Sequence, residues 1–328
     1  ESDNDQIDCR LLIATTENIG PNAKKVIDRS ASVRSFSSLM LDELKSLPIV
    51  WPNSLADLSS GGIAKKYTPK PHQQTAISDV VTGFKKYDRG QMIMACGTGK
   101  TLAGLWIAEA LEAKATLVLF PSLLLLSSTL KDWRAHSKEP FSLLPVCSDA
   151  TVTKKADDSI NFKTSDLSFP STTDEAEIAE FLKKDGKKVI FSTYQSCRQI
   201  AAAYKIADLR PLDLIIADEA HRCAGKAGAD YTTALDNKEI PADKRLFMTA
   251  TPKIYQAHIK KAAAESGVEV LSMDDADLFG AVIHKLSFGE AIDQKLLSDY
   301  QVVVVGVDDS LCAEMISERQ LVKTENDI

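Results

Sequence analysis

Short apolar runs alternate with helix-like segments along most of the chain. The runs lie at 92–95, 115–120, 143–147, 188–193, 212–217 and 245–249. The segments between them carry apolar residues at helical spacing, as at 102–111. Buried strands separated by amphipathic helices are typical of a mostly parallel sheet with helices on both faces. The pattern therefore predicts a doubly wound α/β fold.

Further segments mark the limits of this pattern. Residues 149–187 are mostly polar, with paired lysines, paired aspartates and clustered serines and threonines, and they predict an insertion with one helix near 174–184. Near the end, 300–307 has the pattern of a buried strand and 311–321 that of a helix, while 59–62 is linker-like. We expect three parts: a nuclease-like piece with a linker at 1–64, a main lobe at 65–298, and the start of a second lobe at 299–328.

Composition narrows the class of protein. The chain of 328 residues has a formal net charge of −7, which excludes a globally basic nucleic-acid-binding protein but not one that follows phosphates in a local groove. The six cysteines show no paired spacing, and no apolar stretch is long enough to cross a bilayer. We therefore expect reduced thiols and a cytoplasmic, prokaryotic enzyme with no membrane partner.

The first candidate site follows the first apolar run directly. It comprises Gly97, Thr98, Gly99, Lys100 and Thr101, between a strand pattern and a helix pattern. Glycines let backbone N–H groups turn toward a phosphate chain, a lysine can reach the terminal phosphates, and a threonine hydroxyl can hold Mg²⁺. The strict loop pattern would have a glycine at position 94, where this chain has methionine. The rest of the pattern predicts that ATP or GTP binds here.

A second candidate site follows the apolar run at 212–217. The run ends in Asp218 and Glu219, and His221 comes soon after. Asp218 can hold a metal ion directly or through water, while Glu219 can orient and polarise an attacking water molecule. Together with the glycine loop, these acids predict a Mg²⁺-dependent nucleotide hydrolase.

Two weaker motifs refine the choice of nucleotide and the mechanism. A glutamine such as Gln73 can pair with both the N6 donor and the N7 acceptor of adenine, which guanine cannot match, so we expect ATP. Downstream, the last apolar run ends at Thr249, and Ala250 and Thr251 follow it. Hydroxyls at this strand end can hydrogen-bond the acidic motif and respond to the state of the nucleotide.

In this order the motifs resemble those of superfamily 2 helicases and translocases. The matching positions are Gln73 for the glutamine motif, 97–101 for motif I, 218–221 for the DEAH motif II and 249–251 for motif III. Two weaker matches, at Ser122 and Thr193, are similar to motifs Ia and Ib. In that family these two motifs contact the phosphates of the tracked strand, so the resemblance implies DNA contacts at Ser122 and Thr193.

A narrower resemblance is to the motor domains of restriction enzymes, above all the type ISP single-polypeptide restriction–modification enzymes. It rests on 89–101, 218–222, 249–255 and the tail at 272–300. The opening segment, 9–23, is similar to the last strand and helix of an Mrr-like restriction nuclease domain.

These resemblances imply a RecA-like lobe that binds ATP and Mg²⁺, with Lys100, Asp218, Glu219 and His221 as its catalytic residues. They imply duplex DNA, tracked along one strand, as the partner. They also imply further parts of the same polypeptide, namely a second motor lobe, a nuclease and, as a candidate, a methyltransferase. Because the second lobe supplies the arginine that completes such a site, we expect this chain alone to be nearly inactive.

Two alternative functions remain open on the sequence. One is a superfamily 2 helicase acting in DNA repair, phage defence or RNA remodelling. The other is a nucleotide-binding regulatory module without motor activity.

Overall fold

The computed structural model describes residues 66–148, 171–226, 232–267 and 269–299, together with four short strands nearer the N-terminus. These strands are β1 (Arg10–Ile13), β2 (Phe36–Leu39), β3 (Ile49–Val50) and β4 (Gly62–Ile63). β1 pairs in parallel with β2, and β3 pairs antiparallel with β4. The nuclease-like piece predicted at 1–64 stays a prediction.

Seven parallel strands form the central sheet. They are β5 (Arg89–Met94), β6 (Ala115–Phe120), β7 (Ser142–Val146), β8 (Lys188–Thr193), β9 (Leu212–Ala217), β11 (Ala242–Thr249) and β13 (Ala281–Leu286). Their order across the sheet is β13-β5-β11-β9-β6-β8-β7. A separate antiparallel pair joins β10 (Gly225–Lys226) to β12 (Val270–Leu271). Because the central strands run in one direction, their carboxyl ends lie along one edge, where open α/β sheets bind ligands.

Helices connect these strands and cover the sheet. They are α1 (Pro71–Gly83), α2 (Lys100–Ala110), α3 (Leu123–His136), α4 (Glu175–Lys183), α5 (Cys197–Ile206), α6 (Ala257–Glu265), α7 (Ala276–Phe279) and α8 (Phe288–Asp293). Short 3₁₀ turns occupy 194–196, 220–223 and 232–235.

The sheet separates two hydrophobic cores. Along β6, Leu117 and Leu119 belong to one core, whereas Val118 and Phe120 belong to the other, as the alternation of side chains in a strand requires. Helices α1, α2 and α3 pack against the second of these cores, and α4 and α5 pack against the first. The helices therefore cover both faces, which confirms the doubly wound α/β fold predicted from the sequence.

The six predicted strands are all present, with small changes of boundary. β6, β8 and β9 have the predicted bounds. β5 begins at Arg89 rather than at 92, β11 begins at Ala242 rather than at 245, and β7 spans Ser142–Val146 rather than 143–147.

The predicted insertion contains the helix expected of it. α4 begins after Asp174, whose carboxylate accepts hydrogen bonds from the N–H groups of Ala176 and Glu177 at 2.8 and 3.0 Å. The first part of the insertion, at 149–170, lies outside the described residues, as do the strand and helix predicted at 300–307 and 311–321. The division into three parts therefore stays a prediction. None of the helices in the described ranges is both long and apolar enough to span a lipid bilayer.

Candidate functional site

The glycine loop lies between the carboxyl end of β5 and the first turn of α2. Gly97 and Gly99 adopt left-handed backbone conformations, with φ angles of 80° and 82°. Such angles are readily available to glycine and turn the loop sharply before Lys100, the first residue of α2. The amino end of α2, with its unpaired N–H groups, therefore points at the same space as the loop, which suits a bound anion.

Gln73 connects α1 to this loop. Its Nε2 donates to the carbonyl oxygen of Gly99 at 3.1 Å, and its Oε1 accepts from the N–H of Lys70 at 2.9 Å. The neighbouring His72 ring nitrogen Nε2 lies 2.9 Å from the carbonyl oxygen of Thr98. The amide of Gln73 thus supports the backbone of the loop and the start of α1. Its predicted contact with adenine stays a prediction.

The acidic turn follows β9 and is held through the backbone of Asp218. The N–H of Asp218 donates to the carbonyl oxygen of Leu119 at 3.0 Å, and its own carbonyl oxygen accepts from the hydroxyl of Tyr194 at 2.6 Å. Glu219 then takes a left-handed conformation with φ 48°, which is strained for a residue other than glycine. These hydrogen bonds from β6 and from the turn after β8 hold the backbone of Asp218 on both sides. They therefore help to keep Glu219 in its strained conformation.

The environment of Asp218 suits a cation. Burial and the adjacent Glu219 carboxylate raise the pKa of Asp218 to about 6, while the N–H of Glu219 and the Lys100 ammonium oppose this rise. A divalent ion would reverse the local preference and hold the carboxylate ionised. With the hydroxyl of Thr101, Asp218 offers the hard oxygen ligands that Mg²⁺ prefers, so the residues present fit this ion.

His221 links the acidic turn to the end of β11. Its Nδ1 lies 3.0 Å from the hydroxyl oxygen of Thr249 and 3.3 Å from a carboxylate oxygen of Glu219. Thr249 also accepts a hydrogen bond from the N–H of Thr251 at 3.2 Å. The pKa of His221 is lowered, chiefly by burial, which favours the neutral ring. The Thr249 hydroxyl, at the end of β11, thus makes the expected contact with the acidic motif, whereas its response to nucleotide stays a prediction.

The two candidate DNA contacts differ in exposure. Ser122 follows β6, is partly exposed and caps α3, because its hydroxyl oxygen accepts from the N–H of Leu125 at 3.4 Å. Thr193 ends β8, is only 1% exposed and donates to the hydroxyl oxygen of Ser196 at 3.1 Å. The two strands are neighbours in the sheet, so both residues lie at the same edge. Their contacts with DNA stay predictions, and Thr193 would first need its covering side chains to move.

A cavity of about 510 Å³ opens beside the glycine loop. Its lining includes Gln73 and 97–99, as the motifs predict, together with Tyr67. Residues to which the sequence analysis gives no role also line it: His72, Trp106, Lys295 and Leu296. His72 is adjacent to Gln73 and Trp106 lies five residues after Thr101, so proximity in the sequence is a signal for both. Lys295 and Leu296 come from the far end of the described chain, and no pattern of spacing connects them to the loop.

Comparison with known proteins relates this chain to restriction enzymes. Residues 66–254 match the family described as the type III restriction enzyme, res subunit. The type ISP restriction–modification enzyme LlaBIII, solved bound to DNA, is 32% identical, with a TM-score of 0.73 over 91% of this chain and 20% of that one. A nuclease-deletion mutant of the type ISP enzyme LlaGI, solved with a DNA substrate mimic, is 34% identical, with a TM-score of 0.57 over 71% of this chain and 18% of that one.

A curated relative comes from a virus. The probable helicase A859L of African swine fever virus (isolate Tick/Malawi/Lil 20-1/1983) is 29% identical over 236 residues, which are 71% of this chain and 24% of the relative. The chain thus spans a quarter or less of the length of these relatives. With its seven-stranded parallel sheet, its glycine loop and its acidic turn, the chain belongs to the res-subunit family of restriction enzymes and contains a RecA-like motor domain of the superfamily 2 helicase type.

Proposed function

We propose that this chain is the ATP-binding motor lobe of a double-stranded DNA translocase in a restriction or restriction–modification enzyme. The observation that carries the proposal is the pairing of the glycine loop after β5 with the buried acidic turn after β9. Only β11 separates these strands in the sheet, and the charges of Lys100 and Asp218 interact. A loop for phosphates next to a buried acid is the arrangement that Mg²⁺-dependent nucleotide hydrolysis needs.

Each residue has a separate role in this proposal. The Lys100 ammonium binds the terminal phosphates, and Glu219 orients and polarises the attacking water. The Thr101 hydroxyl and the Asp218 carboxylate would hold Mg²⁺, whose charge stabilises the phosphate chain. His221 and Thr249 relay the state of the site toward the rest of the motor. Gln73 reads adenine, with Tyr67 near the base or ribose.

Duplex DNA is the proposed track. LlaBIII and LlaGI were solved with DNA or a DNA substrate mimic, and Ser122 and Thr193 lie on the sheet edge where motifs Ia and Ib are expected. Local contacts of this kind are compatible with the net charge of −7, because a translocase follows the backbone along one groove. In this proposal, ATP hydrolysis moves the enzyme along DNA with the help of a second lobe of the same polypeptide.

Nucleotide titration tests the binding half of the proposal. Calorimetry with Mg²⁺ should show binding of ATP in preference to GTP. Lys100→Ala should remove a charge-assisted phosphate contact worth roughly 1.5–3 kcal/mol, or about 10- to 160-fold in Kd. Lys86→Ala, which removes an exposed lysine beyond α1, is the matched control and should bind as the wild type does. Equal affinity for both nucleotides would refute adenine recognition, and binding of neither would refute the proposed function.

Turnover tests the hydrolytic half, in a protein that carries the remaining lobes. Duplex DNA should stimulate ATP hydrolysis more than single-stranded DNA or RNA does. Glu219→Gln should leave ATP bound but unhydrolysed, because binding and water activation are separate tasks. Normal turnover by this variant would show that Glu219 does not have the proposed role.

A further inference from the structure

The segment after α8 folds back onto the glycine loop. The N–H of Lys295 donates to the carbonyl oxygen of Ile292 at 2.8 Å, and the N–H of Leu296 donates to that of Ala291 at 2.9 Å. Leu297 reaches the loop itself, since a Cβ added at Gly97 would lie 3.2 Å from its Cδ2 atom. We call this segment, 294–299, the connector because it leads from α8 to residue 300. It forms one side of the cavity beside the loop.

Lys295 is held in the connector in an unusual way. Its backbone is left-handed, with φ 57°, a conformation that residues with a side chain adopt infrequently. Hydrogen bonds on both sides of it fix the turn, and Leu296 and Leu297 anchor the turn on the hydrophobic core behind the loop. The fold therefore fixes the backbone of Lys295 beside the cavity.

The charge of Lys295 has no partner among the described residues. No hydrogen bond or ion pair joins its ammonium to any side chain in the described ranges, although it lines the same cavity as 97–99. The described lining also contains Lys70 and no carboxylate. A cavity with lysines, a glycine loop and no acid fits an anionic ligand. Leu297 of the connector packs against Gly97, so the connector approaches the cavity at its glycine-loop end, where the loop N–H groups would receive the phosphates.

We propose that Lys295 is a nucleotide-binding residue whose ammonium contacts the phosphate chain of a nucleotide bound in this cavity. The inference rests on the proposed nucleotide-binding function and adds a cation that no sequence motif supplies. It also gives the connector a role. An empty cavity leaves the ammonium solvated, whereas a bound triphosphate attracts it, so nucleotide occupancy stabilises the backbone that leaves the sheet.

Substitution of Lys295 by a residue that keeps its backbone conformation tests the proposal. Lys295→Asn removes the charge, and asparagine tolerates the left-handed region. Calorimetry should compare the binding of ATP, ADP and adenosine by the wild type and the variant. We expect about a 10-fold loss of affinity for ATP, since a charge-assisted contact is lost. The loss should be similar or smaller for ADP and absent for adenosine, which has no phosphate. Lys295→Arg should retain most of the ATP affinity, and Lys86→Asn, an exposed lysine away from the cavity, should change nothing.

The outcomes distinguish a failure of the proposed function from a failure of the Lys295 proposal. If the wild type binds no nucleotide, the proposed function fails first. If the wild type binds ATP and Lys295→Asn binds it equally well, the proposed function stands and the inference is wrong. An equal loss for adenosine would mean that the variant changes the shape of the cavity, and would also overturn the phosphate contact. Unchanged thermal unfolding of the variants verifies that the exposed substitution leaves the fold intact.

Discussion

At the scale of single residues, the acidic turn depends on one buried hydroxyl. Tyr194 is fully buried, and it donates the hydrogen bond that fixes the carbonyl of Asp218 just before the strained Glu219. Burial, followed by the nearby Cys223 and Asp218, raises the pKa of Tyr194 well above its ordinary value, so the hydroxyl stays protonated and can donate. Tyr194 directly follows Thr193, so it joins the end of β8 to the proposed metal ligand.

Removal of this hydroxyl should affect both stability and the site. In Tyr194→Phe the carbonyl of Asp218 loses its side-chain donor in the interior, which costs about 1–3 kcal/mol. We expect a lower free energy of unfolding and weaker binding of Mg²⁺-ATP, measured by chemical denaturation and by calorimetry. Tyr204→Phe is the control, because the Tyr204 hydroxyl bonds the carbonyl of Arg210 at 3.1 Å near the surface. Equal effects of the two variants would contradict the special role of Tyr194.

Gly99 is required for two independent reasons. Its φ of 82° is unfavourable for other residues, and a Cβ at this position would lie 2.4 Å from Nε2 of Gln73. Gly99→Ala should therefore lower the free energy of unfolding by about 1–3 kcal/mol and displace Gln73, with loss of ATP affinity. Gly186→Ala is a matched control, since Gly186 has a φ of 87° but nothing within 4 Å of its Cβ position. The same stability loss in both variants would mean that contact with Gln73 is unimportant.

Residue types and spacing were sufficient to locate the motifs, but not all their contacts. The loop and the acids follow strand ends, so their place at the sheet edge could be predicted from local sequence. The bonds from Gln73 to Gly99 and from Tyr194 to Asp218 depend on how distant elements pack. The approach of Lys295 depends on the path of the connector, which no local pattern records.

At the scale of elements, α3 reaches from the edge with the candidate DNA contacts to the nucleotide site. Ser122 caps its first turn, and near its end Trp133 donates from Nε1 to the carbonyl oxygen of Thr101 at 3.0 Å. Its last residue, His136, stacks on the ring of Tyr67 with a centroid distance of 4.1 Å and accepts a hydrogen bond from the Tyr67 N–H at 3.2 Å. One rigid helix therefore contacts both the loop and the rim of the cavity.

The His136 contact should make stability depend on pH. Burial lowers the pKa of His136, Asp132 partly opposes this, and Lys66 adds to it. The folded state therefore binds the proton less well than the unfolded chain, whose histidines have a pKa of about 6.5. The stability that this residue contributes should be complete above that pH and be lost as the pH falls through the folded-state pKa. Protonation also removes the acceptor for the Tyr67 N–H.

Thermal unfolding between about pH 8 and pH 5 measures this effect across the unfolded pKa. His136→Phe keeps an aromatic ring against Tyr67 but cannot titrate, so it should lose less stability on acidification than the wild type does. Asp132 has the opposite effect on the pH dependence of stability. Burial raises its pKa, so acidification favours the folded state through this residue, and removal of His136 strengthens the effect. His258→Phe, at an exposed position on α6, should keep the wild-type pH profile. A parallel pH profile for His136→Phe would refute the assignment.

A strand could be predicted from the sequence where its burial on both faces of the sheet produces a continuous apolar run. The six predicted strands are apolar runs because helices pack against both faces of the sheet. β13 lies at one edge of the sheet, and the polar His284 and Lys285 interrupt its apolar run. It was missed for that reason. Thr193 was identified by its position at a strand end, and only packing reveals that its hydroxyl is buried.

At the scale of the whole molecule, the parallel sheet collects the motifs along one edge. The glycine loop, Ser122, Thr193, Asp218 and Thr249 each lie at or just beyond the carboxyl end of a different strand. Because the strands are parallel, segments that are far apart in the sequence meet there. A prediction of the parallel fold therefore also predicts that these motifs lie together at the carboxyl edge of the sheet. The proposed partners beyond this lobe stay predictions, since the chain spans only 20% of LlaBIII and 24% of the viral helicase.

The chain as a whole should bind ATP but hydrolyse it at or near background. Among the described residues that line the cavity there is no arginine, and an arginine finger is worth about 10³–10⁵ in turnover in related enzymes. ATPase assays of residues 1–328 with and without duplex DNA measure this, and calorimetry on the same preparation verifies that ATP is bound. Robust DNA-dependent turnover would refute the prediction, and would mean that an arginine of this chain or a second copy completes the site.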